Sequence, residues 1–182
     1  MVDFLARLAT FWIFPHRLRE RLRKKIIWSI YGFPVRRRAM RVGSHLHCRG
    51  FVHVTRKTEL GDHVNFNGAF IYGGGEVKIG DWFHSGEGLK IFTRNHNYAG
   101  EALPYDETNV GKPVSIGNCV WIGAYVILLP GTTIGEGAII QAGSVVHGEI
   151  PPLAIAGGNP AKVFAWRDKE HFMRLKAAGR FH

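Results

Sequence analysis

Ten histidines and two cysteines are the side chains of this sequence best suited to move a proton or act as a nucleophile near neutral pH. An alcohol is a poor nucleophile until its proton is being removed, and an imidazole with an ordinary pKa near 6.5 suits that task. His96 stands immediately before an interruption (97–114) of an otherwise periodic stretch, and His84 lies on another period of the same stretch. His45, His47, His53 and His63 fall on successive periods and read as an outer ladder of rings. Cys48 and Cys119 form no CxxC pair, and Cys119 has no evident base beside it, so a thiol nucleophile and a disulfide framework are both disfavoured. A zinc site built from histidines needs three that converge, and His84 with His96 supply only two candidates, so no metal is expected.

These side chains sit in a sequence with a period of six. Starting at Val42, steps of six reach Cys48, Val54, Leu60, Phe66 and Tyr72. One added residue resets the register at Ile79, Ser85 and Ile91, and after the interruption it resumes at Ile116, Ile122, Leu128, Ile134, Ile140 and Val146. Glycine follows the apolar position at Gly61, Gly73, Gly80, Gly86, Gly117, Gly123 and Gly135. Small or β-branched residues recur four places on, at Val64, Val120, Val126, Thr132, Ala138 and Ser144. Neither the helical period of 3.6 nor the strand period of 2 explains this. A short strand and a turn, repeated, does. Three such units make a triangular coil, with the apolar residue pointing into the prism and the small residue at its crowded corner. The implied fold is all-β, a single-stranded parallel β-helix of about five coils. A glycine-rich β-sandwich is the competing reading, but it would not hold one register from Ile116 to Pro151.

The ends differ from the middle. Residues 1–57 hold fourteen Lys/Arg against two acidic residues, a balance of +12, within a chain whose net charge is +10. Residues 3–31 read as helix, with Leu5, Leu8, Phe11 and Trp12, then Leu18, Leu22, Ile26 and Ile30, at helical spacing. Pro15 divides the two stretches, and Gly32 with Pro34 is expected to stop the second. Arg167–Gly179 reads as a short helix that would cap the open end of the prism. The implied organisation is a basic segment and connector (1–41), a β-helix domain (42–166) with an extended loop (97–115), and a C-terminal helix (167–182). The N-terminus lacks a secretory cleavage pattern, and no run approaches the roughly 20 apolar residues of a membrane span. A cytoplasmic protein is therefore expected. The basic segment, with its Leu, Phe and Trp, suits a helix packed in an oligomer or lying on an anionic membrane at the inner face of the cell; nucleic acid is not expected as a partner.

Lys112–Gly123 (KPVSIGNCVWIG), followed by LPGTTIGEGAIIQAGSVV and AGGNPAKV, closely resembles the hexapeptide-repeat acetyltransferases. These include the maltose, galactoside and nodulation-sugar O-acetyltransferases and their exopolysaccharide relatives. The resemblance spans roughly residues 60–167. It implies a left-handed β-helix, a homotrimer, acetyl-CoA as co-substrate, and active sites between subunits beneath the extended loop. It further implies that His96, fifteen residues after the aspartate of Ile79-Gly80-Asp81, is the catalytic base. Asn65 of Asn65-Phe66-Asn67 would touch the acceptor, with Trp121 nearby. His84, twelve residues before His96 and on a different face, reads from its spacing as a structural or surface ring or as one that approaches a neighbouring subunit's site. Gly123, Ala124, Ala142 and Lys162 would meet the coenzyme, and backbone N–H groups near Gly123 and Ala124 would steady the oxyanion.

The residue types leave blander readings for several of these positions. Asn65 can instead stack at a corner, and Trp121 can be interface packing. Gly73–Gly75 resemble a phosphate loop but lack the following Lys-Ser/Thr, so a turn is expected. Where the galactoside enzyme has an acidic acceptor-binding residue, this sequence has those glycines. Where it has a Thr-Lys pair on the coenzyme, this sequence has His147-Gly148. The implied function is acetyl transfer from acetyl-CoA to a sugar hydroxyl of a surface-polysaccharide precursor. The alternatives are N-acetylation of an amino sugar, a non-catalytic β-helix assembly, or a zinc carbonic anhydrase on the same scaffold.

Overall fold

The computed structural model describes residues 16–182. The expectations for Leu5, Leu8, Phe11, Trp12 and Pro15 fall outside the described residues. The remainder is a left-handed parallel β-helix of about six coils with a helix at either end of the chain.

Each coil supplies one short strand to each of three faces. The first face stacks β1 (Arg41–Val42), β4 (Thr58–Leu60), β7 (Val77–Ile79), β12 (Val114–Ile116), β15 (Thr133–Ile134) and β18 (Glu149–Ile150). The second stacks β2 (His47–Cys48), β5 (Asn65–Phe66), β8 (His84–Ser85), β13 (Trp121–Ile122), β16 (Ile139–Ile140) and β19 (Ala154–Gly158). The third holds β3 (Val52–His53), β6 (Ala69–Tyr72), β9 (Leu89–Phe92), β14 (Ile127–Leu128) and β17 (Val145–Val146). Strand pairing from coil to coil is parallel, for example Ser115 with Thr133 and Trp121 with Ile139. The inward column runs through Leu60, Ile79, Ile116 and Ile134 on one face and Phe66, Ile122 and Ile140 on the next, all buried. Each such side chain contributes on the order of 1.5–3 kcal/mol by leaving water. The small residues at the corners, Val64, Val120, Val126, Thr132, Ala138 and Ser144, are buried as well.

The structure corrects the sequence register at one coil. Ile71, not Tyr72, points inward; Ile71 is buried and Tyr72 is exposed. The third face pairs Val52 with Ala69, one residue short of a full coil, and Gly68 makes the tight corner at φ +100°. Gly73–Gly75 then form a turn that restores the phase, as expected. A Cβ at Gly73 would strike the Thr93 hydroxyl, and φ there is +96°.

The coils also continue past Pro151–Pro152, where the period of six ends. Ala154 and Ala156 are buried, and β19 pairs in parallel with β16. The chain then turns back as β20 (Ala161–Trp166), antiparallel to β19, with a register shift between Ile155 and Ala156. Alanine is too small to announce an inward position in the sequence, so the sixth coil lies beyond the periodic signal.

Helix α1 (His16–Arg38) runs through Gly32 and Pro34 rather than stopping there. Proline inside a helix removes one hydrogen bond and costs about 3 kcal/mol or more. Tertiary burial offsets it: Val35 is fully buried in the prism core, with Tyr31 and Ala39 packed against the same core. This helix, not the C-terminal one, closes an end of the prism, packing on β2 and β3. No helix among the described residues is long and apolar enough to cross a membrane.

Helix α2 (Lys169–Ala177) starts at Lys169 because the Asp168 side chain caps it, accepting the His171 N–H at 2.8 Å. It lies along a corner instead of over the end. Phe172 is buried, Arg167 donates to the Gly137 carbonyl at 3.3 Å, and Lys176 pairs with Glu136 at 2.8 Å. A Cβ at Gly137 would lie 2.6 Å from Leu153 and 2.9 Å from the Phe172 ring, and its φ of +71° is left-handed. That corner carries left-handed backbone at His45, His63, Trp82 and Cys119 in the coils before it.

Candidate active site

The interruption of the repeat is an ordered ribbon. β10 (Arg94–His96) leaves the third face, and β11 (Asn109–Gly111) returns antiparallel to it, pairing His96 with Asn109 and Arg94 with Gly111. Its tip is tied by local polar groups. Asp106 accepts the Glu101 N–H at 3.1 Å, the Thr108 N–H at 2.9 Å and the Thr108 hydroxyl at 2.5 Å. These bonds, the Thr108 hydroxyl foremost, hold the Asp106 carboxyl below the usual carboxylate range. Asn97 adds a bond from its side-chain amide to the Thr108 hydroxyl at 3.0 Å. The Asp-Glu-Thr run at 106–108 is the sequence signal for this clasp, since aspartate commonly bonds the N–H two residues on.

His96 projects from the ribbon into solvent, and its ring lies against Tyr105, centroids 3.9 Å apart. Its ring makes no hydrogen bond among the described residues, while its backbone pairs with Asn109. Tyr105 therefore fixes the plane of the imidazole, a role the sequence alone did not assign. The exposed Tyr98 and Leu103 extend the same loop outward.

Asn65, His84 and Trp121 share the second face. The register stacks His47, Asn65, His84, Trp121 and Ile139 as its outward column. Asn65 lies on a strand, not at a corner, and its Oδ1 is 3.0 Å from His47 Nδ1. Trp28 of α1 stacks on the other side of His47 at 3.8 Å. Asn67 bridges the next step, donating to the Ser85 carbonyl at 2.9 Å and lying 3.4 Å from His84 Nε2. Burial lowers the His84 pKa first, and Arg49 and His182 push it further the same way. Burial likewise lowers that of His47, opposed by its bond to Asn65. Both rings are thus biased toward the neutral form. Trp121 is 52% exposed, a large apolar surface beside them.

The four positions assigned to the coenzyme line one corner, between the second and third faces. A Cβ on Gly123 would sit 2.5 Å from the Ala142 nitrogen, so the missing side chain is what lets the two coils approach there. Ala124 accepts the Gly143 N–H at 2.8 Å, and Ala142 is exposed. Lys162 lies opposite Gly157 on the returning strand, above Gln141 of the same corner. The Gly123 N–H is committed to the Ile140 carbonyl at 2.8 Å, which removes it as an oxyanion donor. The Ala124 N–H makes no such bond.

Three groups of residues are therefore assembled in three places. The substrate candidates occupy the second face, the coenzyme candidates one of its corners, and His96 the ribbon that springs from the far end of the third face. No hydrogen bond or ring contact joins His96 to the other two groups within one chain. The supposed histidine ladder divides in the same way. His45 and His63 stack at 4.3 Å on the corner, His47 belongs to the second face and His53 to the third. Among the described residues no three His, Cys, Asp or Glu side chains are grouped so as to hold a metal ion. Burial raises the Cys119 thiol, with Glu136 adding to it, and burial pushes Cys48 up to about 12, so neither is an activated nucleophile.

Residues 113–148 match the family model described as bacterial transferase hexapeptide (six repeats). A Staphylococcus aureus protein (strain MRSA252) provisionally named an acetyltransferase is 39% identical over 117 residues, covering 62% of this chain and 56% of its own length. The galactoside O-acetyltransferase of Escherichia coli K12 is 45% identical over 65 residues, covering 34% of this chain and 32% of its own. The chain thus spans about half the length, or less, of these curated relatives. Among solved structures, a hexapeptide-repeat acetyltransferase from Vibrio cholerae, complexed with acetyl-coenzyme A, superposes with a TM-score of 0.61. It is 22% identical, covering 92% of this chain and 86% of its own, and it shares the fold.

Proposed function

From the premise that this chain is a hexapeptide-repeat β-helix resembling the acetyltransferases of that fold, we propose that it transfers an acetyl group from acetyl-CoA to a sugar hydroxyl. The acceptor is a saccharide or surface-polysaccharide precursor. The observation that carries this reading is the alignment of Gly123, Ala124, Ala142 and Lys162 along one corner, with an exposed, ring-stacked His96 held out on a separate ribbon. An elongated coenzyme fits an edge, and a base held clear of the prism fits a cleft made with a second subunit. The active unit is accordingly a homotrimer, in which His96 of one chain faces Asn65, His84 and Trp121 of the next.

In the reaction His96 takes the proton from the acceptor hydroxyl as its oxygen bonds to the thioester carbonyl carbon. The carbon–sulfur bond breaks, and the imidazolium returns the proton to the departing thiolate. The Ala124 N–H is a backbone donor left uncommitted at that corner and able to face the developing oxyanion, an effect worth roughly 3–4 kcal/mol per donor. O-transfer is favoured over N-transfer by the named galactoside O-acetyltransferase relative. A position on the cytoplasmic face of a membrane is supported by the charge of α1, whose Arg17, Arg21, Lys24 and Lys25 are exposed.

The test is acetyl-CoA turnover against a panel of sugars and sugar conjugates, comparing the full chain with His96→Ala. Loss of general-base catalysis predicts a fall of about 10²–10⁴-fold. Undiminished turnover in the variant removes His96 from this role.

A further inference from the structure

A cleft of about 350 Å³ opens at the base of the ribbon, on the corner between the third and first faces. Three successive coils line it. Lys57 comes from the first, Gly74, Gly75 and Glu76 from the second, and Arg94 and Lys112 from the third. All three cations are exposed, and none of them is in an ion pair among the described residues. One carboxylate, Glu76, faces them, which leaves an excess of two positive charges. A Cβ at Gly74 would meet nothing within 4 Å, so the wall there is open backbone. Arg94 is two residues from His96 on the same strand, which ties the cleft to the base.

We propose that this cleft binds a phosphate or diphosphate group carried by the acceptor, an inference that rests on the transferase reading. The position excludes the coenzyme's own phosphates as its ligand. The coenzyme has its charge at the nucleotide end and its thiol at the other, and the thiol end must lie at His96. Its candidate contacts Ala124, Ala142 and Lys162 lie on the fourth and later coils, along the corner between the second and third faces, whereas the cleft lies on the first three coils, along the corner between the third and first faces. An anion in the cleft therefore belongs to the second substrate. Guanidinium and ammonium groups around an open glycine turn suit phosphate oxygens, with Arg94 able to bond two at once. The Gly75 N–H is not available to the anion, because it donates to the Thr93 hydroxyl at 3.1 Å.

Calorimetric titration of the full chain with inorganic pyrophosphate tests this directly. One pyrophosphate per chain is expected, with affinity at least about tenfold weaker in the double variant Lys57→Gln/Arg94→Gln and acetyl-CoA affinity unchanged. A thermal melt matching that of the unaltered chain shows that the variant is folded. Absence of pyrophosphate binding, equal binding by both proteins, or a matching loss of acetyl-CoA affinity overturns the proposal. Uridine diphosphate and geranyl diphosphate, titrated in parallel, separate the sources. Tighter binding of the first supports a nucleotide-linked sugar, and tighter binding of the second a lipid-linked one. Because the readout is anion binding, its failure is distinct from failure of the transferase reading, which acetyl-CoA turnover reports.

Discussion

The imidazole of His96 and the phenol of Tyr105 lie face to face, centroids 3.9 Å apart and planes 12° from parallel. The His96 ring has no hydrogen-bonded partner among the described residues, so this stack is what fixes its plane. Ring stacking of this kind is worth about 0.5–1.5 kcal/mol. Tyr105→Ala should lower kcat about three- to tenfold, with little change in the KM for acetyl-CoA. Tyr105→Phe should restore the rate, which steady-state kinetics on the two variants will read.

Ser85 occupies an inward position between Phe66 and Ile122 in the second face, fully buried, and its hydroxyl finds no hydrogen-bond partner among the described residues. A buried hydroxyl left unpaired costs roughly 1–3 kcal/mol. Ser85→Ala should therefore raise stability by about 1 kcal/mol, measured by urea denaturation, since the Asn67 bond goes to the backbone carbonyl and survives.

Burial lowers the pKa of both His47 and His84 from the ordinary 6.5. On acidification the unfolded chain takes up these protons before the folded chain does. Stability from these rings is fully present above pH 6.5 and is lost as the pH falls below it toward the lowered folded values. His47→Gln and His84→Gln should each flatten the acid limb of a stability–pH curve taken by denaturant titration. A limb as steep as that of the unaltered chain would refute the assignment.

Exposed Arg17, Arg21, Lys24 and Lys25 share helix α1 with exposed Leu18, Ile30 and Phe33. Each cation near an anionic membrane is worth about 1 kcal/mol. Replacing the four by glutamine should abolish sedimentation with phosphatidylglycerol vesicles at low salt, while neutral vesicles bind neither protein. These substitutions leave Val35 in place, so the prism stays closed. Equal sedimentation of both proteins would exclude the helix as the contact.

The repeat was legible because its signal is covalent spacing: an apolar residue every six positions has one economical winding, and Ile116 through Val146 obey it without a slip. The departures occurred where tertiary packing overrode a local rule. Pro34 should end a helix, but burial of Val35 carries the helix through. Tyr72 matched the period, but the tight corner at Gly68 advances the chain by one and turns Ile71 inward. Ala154 and Ala156 are core residues whose side chains are too small to mark an inward position. At the candidate site, His96 stands out in the sequence by its place beside the interruption and by resemblance. Its ring partner Tyr105 could not, because that contact depends on how the ribbon folds. The Lys57, Arg94 and Lys112 cluster comes from residues that winding alone brings together.

The reversal of β20 on β19 has a consequence for self-association. A tower of stacked parallel rungs is a template on which a second copy could extend the same winding without limit, the route by which fibrils grow. Here the topmost rung of the second face is a strand of opposite polarity with a slipped register at Ile155 and Ala156. An incoming molecule finds no matching rung to continue, and irregular strand ends of this kind discourage such propagation. The stack of rungs on this face is thus ended by the chain itself.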